Sequence, residues 1–206
     1  SHTALAVAHQ LPHLVERITM SSVAYRLYEH GDWRDMDLFF QVTNIIGRRW
    51  PRLLERLLPF LARSILQNTG RFAERAAGRA KCDHERDILR DPEIVERTRA
   101  MLAERTANGM QGVVQEWRLN AQPYDFDVTA IKAPMLLLHG DCDINNPLQG
   151  AQKLARDAHD ARLHVLPGMG HHHIFREWEW MLAAAVGAPF TPPSDTIAGE
   201  AALLVE

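Results

Sequence analysis

Only two cysteines occur in the 206 residues, Cys82 in a polar segment and Cys142 beside Asp143, so no disulfide framework is implied. A reducing, cytoplasmic setting is the simplest expectation. No apolar run reaches the roughly 20 residues that a spanning helix needs, so a membrane is not an expected partner. The first residues, Ser1-His2-Thr3-Ala4, carry neither an initiating Met nor a charged leader, and the chain reads as a piece of a longer one. Positive charge is not in excess either: the formal net charge is -3, which gives no electrostatic case for nucleic acid. Arg48-Arg49 and the stretch from Arg71 to Lys81 have acidic neighbours and read as solvated helix faces. There is no internal repeat and no low-complexity segment. With 46% hydrophobic and 24% charged residues the chain can bury an ordinary core.

Two short stretches carry the chemical signal. Pro134-Met-Leu-Leu-Leu-His-Gly-Asp-Cys-Asp-Ile-Asn-Asn-Pro147 is answered by Leu163-His-Val-Leu-Pro-Gly-Met-Gly-His171. Each is an apolar run that breaks at Gly and then delivers an ionisable side chain, Asp143 in the first and His171 in the second. Continuous apolar runs suit buried parallel strands, and ligands gather outside the carboxyl ends of such strands. A carboxylate that accepts an imidazole N–H holds the ring in one tautomer and stabilises its charged form, so Asp143 and His171 together form an acid and base pair.

The remaining chain supplies a frame for them. Ala4 to His13 reads as the body of a helix stopping near Pro12, and Ile18 to Ser22 as a core strand. From Tyr25 to Val128 the texture is helical. Leu53, Leu54, Leu57, Leu58, Leu61 and Ile65 recur at helical spacing behind Pro51, and Pro59 is expected to kink or divide that run. Asp91 is the expected cap of a helix starting at Pro92, with Ile94, Met101 and Leu102 about a heptad apart. Gly109 and Gly112 flank a break before a helical piece from Val113 to Leu119. Asn146 is expected to cap a helix that opens at Pro147. The strand Arg162 to Leu166 and a helix from Ile174 to about Val186 complete a doubly wound α/β pattern. The expected organisation is a core segment over 1–24, a helical cap over 25–128, a second core segment over 129–189 and a peripheral tail over 190–206.

At this point the chain resembles a known family. Gly-Asp-Cys-Asp143-Ile-Asn-Asn-Pro147 followed by Gly-Met-Gly-His171 is similar to the acid and histidine motifs of the α/β-hydrolase superfamily, in order and in spacing. Ala4 to Pro12 is placed like the helix after that family's nucleophile elbow, and 25–128 like its helical cap. The elbow itself, Gly-x-Ser-x-Gly, occurs nowhere in these residues. The resemblance therefore implies the carboxyl-terminal portion of an α/β-hydrolase fold, with few parallel strands and a nucleophile lying upstream.

The implied activity is hydrolysis of an ester, thioester or carbon–carbon bond of a small, apolar substrate. His171 would be the base and Asp143 its orienting acid, with no cofactor and no metal; residues 1–206 alone would be inactive. The alternatives are a dehalogenase or epoxide hydrolase using an Asp nucleophile, or a non-catalytic ligand-binding protein on the same scaffold. Asp141 is a lesser candidate for the acid, expected instead to bond backbone N–H groups of its turn. The run His171-His172-His173 invites a metal reading, but consecutive loop side chains point in different directions. Ser1 makes a weak nucleophile candidate, since Thr3 stands where the elbow wants Gly. Ser21 and Ser22 are expected on the site floor. Phe39, Phe40, Trp50, Leu57 and Phe60 are expected to pack the cap, with some of them roofing an apolar pocket.

Overall fold

The structure, a computed structural model, describes residues 2–26, 35–120 and 122–189. Among them run three strands, β1 (Ile18–Ser21), β2 (Met135–Gly140) and β3 (Ala161–Leu166), forming one parallel sheet in the order β1-β2-β3. The register sets Ile18 beside Met135 and Met135 beside Ala161, and Gly140 at the end of β2 lies beside Leu166 at the end of β3. All three carboxyl ends therefore emerge on one edge. The apolar composition of β2 has its reason here: Met135, Leu137 and Leu138 are buried, as a strand flanked on both sides requires.

Helix α1 (His2–Gln10) and helix α8 (Leu148–Asp157) contribute to the main core, where Leu5, Ala8, Ala151 and Leu154 meet Ile18, Met20 and Leu137. Tyr124 and Phe126 stack on this side at 5.2 Å, and His9 and Tyr25 pack against them. A second, smaller cluster of Leu138, Leu166, Met169 and Met181 joins the sheet to α9 (Ile174–Ala185). The strands and α9 end within a residue or two of the expected positions, while α1 stops at Gln10 and Pro12–Leu14 forms a separate 3-10 turn.

Among the described residues six α-helices lie between β1 and β2: α2 (Leu38–Arg49), α3 (Pro51–Gln67), α4 (Thr69–Ala77), α5 (Asp83–Arg90), α6 (Pro92–Thr106) and α7 (Gln111–Asn120). Asp91 caps α6 by accepting the Glu93 N–H at 2.9 Å, as its place before Pro92 leads one to expect. Pro59, by contrast, does not divide α3, which runs unbroken from Pro51 to Gln67. Its ring is exposed, off the side that buries Leu54 and Leu58. Gly112 lies inside α7; the break before that helix falls at 107–110, where Gly109 takes φ +93°. Of the apolar residues about a heptad apart on α6, Ile94 is buried and Met101 is half exposed. The expected tail from 190 onward, and Ser1, lie outside the described residues.

Candidate active site

Three loops leave the carboxyl edge of the sheet, and each brings one part of the site. After β2 the chain turns sharply, with Asp143 N–H donating to the Gly140 carbonyl and Cys142 N–H to the Met169 carbonyl of the neighbouring loop. Gly140 is obligatory for this approach, because a Cβ there would collide with the Met169 carbonyl. Asp143 then sits in the turn, its side chain fully buried. One carboxylate oxygen, Oδ1, accepts the backbone N–H groups of Asn145 and Asn146, each at 2.8 Å. The other, Oδ2, accepts His171 Nδ1–H at 3.0 Å. The two residues singled out from the sequence are thus brought together.

His171 keeps about 30% of its side chain exposed and lines a cavity of about 690 Å³ between the sheet edge and the helical block. With Nδ1 committed to Asp143, Nε2 is the nitrogen available to that cavity. Burial works against charge on this ring, but the Asp143 carboxylate and its hydrogen bond, aided by Glu85, outweigh burial and raise the pKa above 6.5. Burial likewise works against the Asp143 charge, and His171, the Asn146 N–H and His139 outweigh it, holding the carboxyl below its ordinary value.

The other histidines have fixed structural assignments. His139, fully buried at the end of β2, accepts the Val23 N–H at Nδ1 (3.0 Å) and donates from Nε2 to the Asn146 carbonyl (2.8 Å). It ties the loop after β1 to the acid loop. His173 is also fully buried; Nδ1 donates to the Gly170 carbonyl at 2.7 Å and Nε2 accepts the Ser21 hydroxyl at 2.9 Å. Burial lowers the pKa of both. His172 points a third way, to Glu85 of α5. The three consecutive rings therefore diverge, and among the described residues no group of three or more potential ligands stands ready for a metal ion.

Asp141, expected to bond N–H groups of its own turn, reaches across instead and accepts the Gly168 N–H of the loop after β3 at 2.8 Å. Asn146 departs from expectation. It does not cap α8, which starts at Leu148 behind Pro147; its side chain donates instead to the Ser22 carbonyl at 2.8 Å. Ser22 takes φ +51° and donates its hydroxyl to the His171 carbonyl at 3.2 Å, so it supports the site from below. Cys82 and Cys142, distant in sequence, lie close enough to influence each other's titration; burial, with Asp141 beside it, pushes the Cys142 thiol up to about 12.

The cavity wall is mixed. Phe40 stacks on Trp117 at 8° with ring centres 6.2 Å apart, and Met36, Ile45 and Trp50 stand nearby. Arg48 and Arg49, expected to be plain solvated residues, line the same cavity from the last turn of α2. Of the aromatic and aliphatic residues expected as a roof, Phe40 and Trp50 serve, Phe39 lines a smaller apolar cavity behind them, and Leu57 and Phe60 face outward.

No family model matches this chain, and no curated protein matches it. Solved structures do. A thermophilic esterase from Thermogutta terrifontis is 20% identical with a TM-score of 0.54, covering 90% of this chain and 59% of its own. A hydrolase from Pseudomonas aeruginosa is 19% identical with a TM-score of 0.53, covering 90% and 60%. BpoC of Mycobacterium tuberculosis, described as a candidate non-heme bromoperoxidase, is 19% identical with a TM-score of 0.51, covering 89% and 61%. The chain has the α/β-hydrolase fold, and it spans about 60% of the length of these neighbours. Among the described residues no helix is long and apolar enough to cross a membrane.

Proposed function

We propose that this chain supplies the acid and the base of a nucleophile–His–Asp triad that hydrolyses an ester, thioester or carbon–carbon bond of a small substrate. The observation that carries the reading is the buried Asp143 carboxylate, saturated by two backbone N–H groups on one oxygen and by His171 on the other, with the far side of the ring open to a cavity. In that geometry His171 Nε2 takes the proton of an upstream nucleophile and returns it to the leaving group, while Asp143 fixes the tautomer and stabilises the imidazolium. The Phe40–Trp117 stack offers a flat apolar wall to an acyl or alkyl group, and Arg49 and Asn44 favour a substrate that also carries polar atoms. The helical block over the cavity serves as its cap. The activity is expected in the soluble fraction of the cell.

In a full-length chain that includes the upstream nucleophile, His171→Ala is expected to abolish hydrolysis of an activated acyl ester without loss of fold. Residues 1–206 alone should give no rate above that of free imidazole. A rate merely halved in His171→Ala would refute the base assignment. An Asp at the upstream position would redirect the reading to a dehalogenase or epoxide hydrolase, and retained ligand binding without turnover to a binding protein.

A further inference from the structure

The peptide unit joining His171 to His172 is held at both ends. Its carbonyl accepts the Ser22 hydroxyl at 3.2 Å, and its N–H donates to Glu85 Oε2 at 3.0 Å. Glu85 is itself buried, 5% exposed, and its second oxygen accepts His172 Nδ1–H at 2.6 Å. Gly170 makes the approach possible, since a Cβ there would overlap the Glu85 side chain. Ser22 stands just past the end of β1 and Glu85 in α5 of the helical block. Further contacts bind α5 to the start of α9: His84 faces Glu177 at 3.6 Å, and Arg176 reaches Asp91 and the Asp87 carbonyl, each at 3.5 Å.

We propose that Glu85 is a positioning residue of the site: it grips the His171–His172 peptide from the helical block and so holds the His171 ring on Asp143. The inference rests on the reading of His171 as the base. A side chain's direction follows from its backbone, and a peptide plane pinned at carbonyl and N–H leaves His171 little freedom to swing away from the carboxylate. Glu85 also adds negative charge near the ring. The charged and titratable groups around His171 are Asp143 from the acid loop, Glu85 from α5, His172 with its ring edge-on at 5.1 Å, and the buried His139 and His173. Of these, Glu85 and Asp143 favour the imidazolium. The helical block thereby contributes to the base itself as well as to the walls of the cavity.

The test uses the full-length chain and two variants. Glu85→Ala removes the grip and the charge; Glu85→Gln removes the charge but keeps a carbonyl oxygen to accept the peptide N–H. Glu85→Ala is expected to lower kcat by roughly 10- to 100-fold, the effect of displacing a reacting group by about an ångström, with KM little changed. Glu85→Gln should recover most of kcat. In both variants the His171 ring, followed by NMR, should titrate at lower pH than in the parent, and the acid limb of the rate profile should move with it. A kcat in Glu85→Ala equal to the parent's, or no recovery of kcat in Glu85→Gln, overturns the proposal, and so does a His171 Nδ1–H proton signal that stays in Glu85→Ala where the parent has it. Displacement of that signal in Glu85→Ala, in a protein whose parent shows no esterase turnover, would instead leave the grip standing and defeat the hydrolytic reading.

Discussion

The sheet with its loops and the helical block are built on different physical terms. In the sheet region, strand residues, α1 and α8 close on one another, and polar groups at the carboxyl edge are consumed by named partners: His139, Asp143 and His173 are all buried and all bonded. In the helical block the buried apolar side chains are few, among them Leu54, Leu58, Ile88 and Ile94, while Leu38, Trp50, Leu53, Leu57 and Phe60 are exposed. Rigid positioning of reacting groups belongs to the first kind of environment, and adaptable walls around a substrate to the second. Glu85 crosses that line: it belongs to the helical block, yet its carboxylate is buried and bonded through both oxygens, as Asp143 is in the sheet region.

The sharpest test of this contrast is Asp143→Asn in a full-length chain. The amide can still accept the Asn145 and Asn146 N–H groups, so the loop should persist, but its NH2 favours the wrong imidazole tautomer. A loss of roughly 10⁴-fold in kcat is expected, with the melting temperature changed far less. Equal losses of rate and of folded protein would show that Asp143 serves the turn alone.

The pH dependence follows from the same pair. A base must be neutral to act, and the His171 pKa is raised above 6.5, so the acid limb of kcat/KM should fall above pH 6.5. Stability carries two signs. The Asp143 pKa is lowered on folding, so its contribution is present above 3.8 and lost as the pH falls. The His171 pKa is raised, so its contribution is complete below 6.5 and lost as the pH climbs through the folded value. The gap in melting temperature between the parent and Asp143→Asn should therefore be widest between those limits, close toward acid and narrow toward alkaline pH to what the Asn145 and Asn146 N–H groups give the carboxylate. A gap that keeps widening toward alkaline pH would contradict the pairing.

What could be read beforehand tracks how local each signal is. Asp143 and His171 were legible because each follows a short apolar strand through a glycine turn at fixed spacing, and neighbouring strands must bring such ends together. Glu85 was not, since its partner His172 lies 87 residues away and nothing in the α5 sequence marks the carboxylate as buried. The same holds for Cys82 and Cys142, and for the passage of Arg48 and Arg49 from solvated face to cavity wall. Pro59 is the reverse case: a strong local signal for a break, which α3 carries inside the helix without being divided. Asn146 had the right residue type for a cap, but the Ser22 carbonyl claimed its side chain.

The two glycines of the site should separate along the same line. An added methyl at Gly140 meets backbone, the Met169 carbonyl, which can yield only by moving the whole loop. At Gly170 it meets the Glu85 side chain, whose carboxylate can rotate aside only by giving up its hydrogen bonds and whose Cβ, 2.7 Å away, moves only with α5. Gly140→Ala should cost about 3 kcal/mol in chemical denaturation and Gly170→Ala about 2 kcal/mol, both inside the usual overpacking range. Gly170→Ala should nonetheless impair turnover more than its stability loss explains, because it displaces the carboxylate that grips the His171–His172 peptide. Reversal of the stability order would mean that the loops after β2 and β3 are less tightly nested than the helical block.

The smallest effect is expected at Phe60. Its side chain is 74% exposed on α3, one residue beyond Pro59 and away from Leu54 and Leu58. A side chain so placed leaves little apolar area to lose, and surface substitutions away from packed features stay within about 0.5 kcal/mol. Lysine has helix propensity at least as good as phenylalanine's and carries a charge that discourages self-association. Phe60→Lys should therefore leave the denaturation midpoint within error of the parent, leave kcat/KM unchanged and, if anything, raise solubility. A loss of 2 kcal/mol or more would show that Phe60 is covered in solution, by a second copy or by part of the full-length chain. The outer face of α3 would then belong with the packed core and not with the adaptable wall.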